Sequence, residues 1–243
     1  RGALRNGLVY GAQLGVNPFN FGMIGSSDSH TGLSTVREDN YFSKFSKSEP
    51  QPKRGANYIV QNRTGRDELS WRTWDELASG LAAVWAEENT REALFDAMRR
   101  KEVYATTGSR LRVRFFGGWD YAGADLHSPH MAKRGYARGV PMGGTLAKRP
   151  LGLSPVFMVY ALRDPDGANL DRIQVIKGWL DAAGHSQENV FDVALADGRE
   201  PGTDGRAPAI GSTVNLQTPG YTNAIGASEL RALWRDPQFD PKQ

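Results

Sequence analysis

From residue 103 onward the apolar residues recur at every second position in short runs, and this alternation limits the folds open to the chain more than any other feature. Successive side chains of an extended backbone point to opposite faces, so a period of two marks half-buried strands rather than helices. Leu111, Val113 and Phe115 fall on one face and Arg110, Arg112 and Arg114 on the other. The same period runs through 156–162, 173–176, 190–195 and 213–216, with turn chemistry at Asp164-Pro165-Asp166-Gly167 and Asp197-Gly198. Short strands at this spacing predict a β-sandwich-like domain over 110–243. The three arginines read as a solvated strand face, with an anionic substrate as the other reading. Residues 227–234 are expected to form one or two helical turns, followed by an extended tail at Asp236-Pro237 and Asp240-Pro241.

The pattern before residue 103 is mixed. Leu4, Leu8 and Leu14 fit a short helix that ends at Gly15, with Pro18 blocking its continuation. The apolar run 19–24 reads as a buried strand. Residues 32–73 are polar and aperiodic, as a long loop or active-site lid would be. Residues 80–85 read as another strand. A helix follows, with Asn89 as its cap, Glu92 completing the capping box, and Leu94, Phe95 and Met98 as its apolar stripe. These elements assign 1–109 to a first, α/β unit, with the boundary near 108–110.

The densest chemistry lies in Gly25-Ser26-Ser27-Asp28-Ser29-His30. Asp28 and His30 are two apart, so at the end of a strand they would offer a carboxylate and an imidazole to one point, half of a metal site. The hydroxyls of Ser27, Ser29 and Thr31 are placed to orient those ligands. The same residues also suit an Asx-turn or a helix cap. Arg37, Trp85 and Asn89 are candidates for lining a substrate pocket. Glu87 and Glu88 are explained by their place ahead of a helix N-terminus. His127 and His130 flank Pro129, which suits a surface loop better than a helical ligand pair. His185 falls in a hairpin turn, and Gly143-Gly144 lacks the helix and lysine of a phosphate-binding loop.

Several longer motifs carry a resemblance: Leu14-Gly15-Val16-Asn17-Pro18-Phe19, the 24–31 segment, Trp85-Ala86-Glu87-Glu88-Asn89-Thr90-Arg91-Glu92, Tyr104-Ala105-Thr106-Thr107-Gly108, Gly139-Val140-Pro141-Met142-Gly143-Gly144 and Val175-Ile176-Lys177-Gly178-Trp179. With these the chain resembles the C-terminal part of the domain-of-unknown-function 3604 family, which looks related to the polymerase-and-histidinol-phosphatase (PHP) metal hydrolases. That resemblance implies a distorted β/α barrel in 1–109, with Asp28 and His30 as the last metal ligands. It also implies a divalent ion (zinc, manganese or iron), hydrolysis of a small-molecule phosphoester, and earlier ligands from a His-x-His motif. No His-x-His occurs in the sequence, so the chain is expected to be truncated at its front and to need the preceding part of the protein. Relatives of this kind are often exported, which favours an extracytoplasmic site.

Composition sets the outer limits. In 243 residues, 39% hydrophobic and 23% charged, there is enough apolar material for two cores. The net charge of +3 is spread along the chain, unlike the footprint of a nucleic-acid binder. No apolar run approaches a membrane span. The absence of cysteine removes disulfides, thiolate ligands and a thiol nucleophile. Two alternatives to phosphoester hydrolysis stand: hydrolysis of an amide, lactone or sulfate ester, and a non-catalytic binding or assembly module.

Overall fold

A computed structural model describes residues 2–30, 32, 44, 49, 51–52, 56–73, 80–146, 150, 152–203, 206–218 and 220–241. The chain divides into two compact units that interleave along the sequence. Residues 1–22, 85–102 and 111–243 form the larger, and 23–84 with 103–110 the smaller. Every described strand pair is antiparallel, so the protein is β-rich. A β/α barrel requires parallel neighbours.

The larger unit is built on a four-stranded sheet of β5 (Arg112–Gly118), β6 (Gly139–Pro141), β7 (Val156–Leu162) and β12 (Glu229–Arg235), in the order β12-β7-β5-β6. The register places Phe115 opposite Val159, and Ala232 opposite Val159 from the other side. One face therefore carries Phe115, Phe157, Val159, Ala161, Leu230, Ala232 and Trp234. This face packs on a long hairpin, β8 (Arg172–Leu180) and β9 (Ser186–Leu195), through Ile173, Val175 and Val193. Phe115 stacks on Phe157 at 5.4 Å between centroids, and Trp234 bridges Phe157 to Phe191. The helix α1 (Gly2–Leu14) lies against β8 and β9, and its Arg5 donates to the Ser186 carbonyl at 2.8 Å.

The other face of the sheet is covered at one end by α3 (Gly123–Leu126) and α4 (Met131–Arg138). Phe116, Val156 and Met158 are buried there with Tyr121 and Leu126. Asp125 is buried beneath the same helices, accepting from Arg134 at 2.9 Å, Arg138 at 2.6 Å and the Ala122 amide. A short pair, β10 (Val214–Asn215) with β11 (Gly220–Tyr221), also belongs to this unit. So does α2 (Arg91–Arg99).

The smaller unit contains two strand pairs. One is β1 (Tyr58–Val60) with β2 (Trp71–Arg72), and the other β3 (Leu81–Val84) with β4 (Val103–Thr106). The expectation of strands at 80–85 and over much of 103–216 is met. Residues 32–73 were expected to be loop throughout, yet β1 and β2 pair within them. Most of 32–50, and with it the lid expectation, lies outside the described residues.

Three local expectations are corrected. Residues 229–234 lie in β12, not in a helix: the apolar set 230, 232, 233 and 234 satisfies both periods over so short a run, and pairing with β7 selects the strand. Residues 19–24 form no strand, and Phe21, Met23 and Ile24 are exposed. The Asn17 side chain accepts the Phe19 amide at 2.9 Å, turning the backbone after Pro18, and among the described residues no strand pairs with the run. The cap of α2 is Thr90, whose Oγ1 accepts the Ala93 amide at 3.3 Å, one residue later than Asn89. The stripe on α2 is also half open, with Phe95 and Met98 exposed.

Candidate metal-ligand turn

Gly25 and Gly80 allow the serine-rich segment to press against β3 and β4. A Cβ on Gly25 would meet the Leu81 carbonyl oxygen at 2.5 Å and that of Thr106 at 2.7 Å, and a Cβ on Gly80 would meet the Ser26 carbonyl oxygen at 2.5 Å. Both close approaches require glycine. Beyond this anchor the chain forms two successive serine turns. Ser26 Oγ accepts the Asp28 amide at 3.2 Å, and Ser27 Oγ accepts the Ser29 amide at 3.3 Å.

Asp28 adopts a left-handed backbone with φ of 52°. Extended pleating, which would have aimed residues 28 and 30 the same way, is therefore broken at the first of the pair. What joins them is a different contact: His30 Nδ1 lies 2.8 Å from the Asp28 carbonyl oxygen. A carbonyl only accepts, so Nδ1 carries the proton and the lone pair of the neutral ring lies on Nε2. A backbone acceptor of this kind fixes ring orientation in metal-ligating histidines.

The Asp28 carboxylate stands exposed and pairs with Lys44 Nζ at 2.6 Å, while the His30 amide donates to the Lys44 carbonyl at 2.9 Å. The hydrogen bond from Lys44 holds the Asp28 carboxyl below the ordinary carboxylate range, aided by the charge of Lys44 and by His30. Lys44 belongs to the polar stretch 32–73, where no sequence signal marks it. The donor chemistry of Asp28 and His30 fits a divalent ion as a partial set, one anionic oxygen and one oriented imidazole. Among the described residues, no group of three or more His, Asp or Glu side chains is placed to hold a metal.

Thr31 and Arg37 lie outside the described residues. Trp85 and Asn89 belong to the larger unit but line different cavities. Trp85 donates from Nε1 to the Val113 carbonyl at 2.8 Å in a cleft of about 450 Å³. Asn89 borders a shallow depression over Phe95 and Met98. His127 ends α3 and His130 begins α4, both exposed, and His185 lies in the turn joining β8 to β9.

The sheet, hairpin and serine turn thus define a β-rich protein bearing an exposed Asp-x-His turn. The chain belongs to the domain-of-unknown-function 3604 family: the profile described as "Protein of unknown function (DUF3604)" matches residues 1–243. No curated protein and no solved structure matches the chain.

Proposed function

We propose that the protein is a metal-dependent hydrolase, acting on phosphoesters, with Asp28 and His30 among its metal ligands. The observation that carries this is the His30 Nδ1 contact with the Asp28 carbonyl, which orients the imidazole within the same turn that carries the Asp28 carboxylate. When bound there, zinc, manganese or iron would supply an activated water and polarise the scissile bond. Lys44 pairs with the Asp28 carboxylate at 2.6 Å. The serine turns hold the backbone that carries both ligands, through the amides of Asp28 and Ser29.

Two ligands are fewer than a hydrolytic ion takes. The PHP resemblance assigns the others to a His-x-His segment. For 110–243 we propose a β-sandwich, supported by the packing of the four-stranded sheet on the β8–β9 hairpin.

The test is metal content and p-nitrophenyl phosphate turnover of the intact protein. Asp28→Ala is expected to lower metal affinity by more than the roughly 10–100-fold typical of losing an outer partner, and to remove turnover. Lys44→Ala, which frees the carboxylate, is expected to strengthen metal binding. Unchanged metal content and turnover in Asp28→Ala would refute the assignment.

A further inference from the structure

α3 and α4 cover only one end of their sheet face, and the other end is an open cleft of about 450 Å³ within the larger unit. Its floor is a cross-strand row. Arg114 on β5 stands opposite Tyr160 on β7, and Tyr160 opposite Arg231 on β12. Arg112 lies one position along on the same face, opposite Leu162. Trp85 and His127 complete the polar and aromatic wall, and Met131, Ala132 and Leu162 add an apolar one.

The arginines here are organised, unlike a solvated strand face. The Arg114 guanidinium lies 3.4 Å from the Trp85 ring centroid, donates to Tyr136 Oη at 2.9 Å and is only 21% exposed. Glu102, buried at its side, pairs with it at 3.6 Å and with Arg100 at 3.5 Å. Arg231 lies over the Tyr160 ring at 5.0 Å and is held by Glu229. The Arg112 side chain makes no hydrogen bond or ion pair among the described residues. Arg100, outside the cleft, and Arg114 share Glu102, Arg231 has Glu229 and Arg112 has neither, so the four guanidiniums exceed their two carboxylates by two charges. Like charges gathered on one sheet face oppose folding, and pre-positioned guanidinium forks match tetrahedral oxyanions.

We propose that this cleft binds a small organic phosphate monoester, its dianionic head on Arg112, Arg114 and Arg231 and its apolar body against Met131, Ala132 and Leu162. The site is independent of the metal reading of Asp28 and His30.

Calorimetric titration of the intact chain with phenyl phosphate, in EDTA and at low ionic strength, tests it. Saturable binding at one site is expected, with phenyl sulfate weaker and phenol not bound. Losing one charged contact should weaken phenyl phosphate about tenfold or more in Arg112→Ala, and less in Arg112→Lys. Arg112 is exposed, so both variants should keep the circular dichroism of the parent. Asp28→Ala should bind phenyl phosphate unchanged. Absence of saturable binding, equal binding by Arg112→Ala, equal binding of phenol or phenyl sulfate, or loss of binding in Asp28→Ala would each overturn the proposal.

Discussion

Gly135 occupies the middle of α4, where helix propensity alone predicts that alanine would stabilise by about 0.5–1 kcal/mol. The packing predicts the opposite sign. A Cβ at this position would stand 2.6 Å from Cγ and Cδ1 of Phe116 and 2.8 Å from Cδ2, well inside contact distance. Phe116 has no exposed surface and meets the Tyr136 ring edge-on at 5.1 Å, so the ring cannot swing aside. The helix must lift instead, straining the 2.6 Å hydrogen bond from Tyr121 Oη to the Gly135 carbonyl. Overpacking of this kind costs about 1–3 kcal/mol, which leaves Gly135→Ala destabilised by roughly 1–2 kcal/mol after the propensity gain. In a Phe116→Ala background, which removes Cγ and both Cδ atoms, the clash is relieved, and the same glycine change should be neutral or stabilising by about 0.5 kcal/mol. The two sites should therefore couple by about 1–3 kcal/mol in a double-mutant cycle. Urea unfolding followed by circular dichroism, with midpoint and slope both fitted, measures this. A Gly135→Ala protein more stable than the parent, or additive single changes, would show that α4 does not rest on Phe116 as described.

Other expectations follow from single contacts. Burial pushes the Asp192 carboxyl up, but the Ala207 amide, Gln174 and Arg172 pull it down further, so its folded value lies below the ordinary 3.8. Its contribution is then present above that value and lost as pH falls through the depressed one. Asp192→Asn should cost about 3 kcal/mol at neutral pH, because Arg172 loses a partner, and should flatten the fall in thermal stability below about pH 4; an unchanged acid limb would count against this. Thr90→Ala should cost about 1 kcal/mol, whereas Asn89→Ala should cost almost nothing, as read by thermal unfolding. The reverse order would restore Asn89 as the cap of α2.

Local pattern marked β7 and the parts of β5, β8 and β9 at 111–115, 173–176 and 190–195, because a period of two over a short run can bury only one face as a strand. The turn at His185 and the loop around Pro129 were equally legible, since proline and glycine act on their own backbones. Residues 19–24 and 227–234 were not: each is apolar and short, and only the presence or absence of a neighbouring strand decides its state. The Asp-x-His pair was visible as chemistry in the sequence, but the positive φ of Asp28 and its ion pair with Lys44 come from folding. The arginine cleft shows the same division most clearly. Residue order placed Arg112 and Arg114 on one strand face, while the pairing of β5, β7 and β12 brought Tyr160 and Arg231 beside them, because hydrogen-bonded register joins side chains that the chain holds more than 40 positions apart.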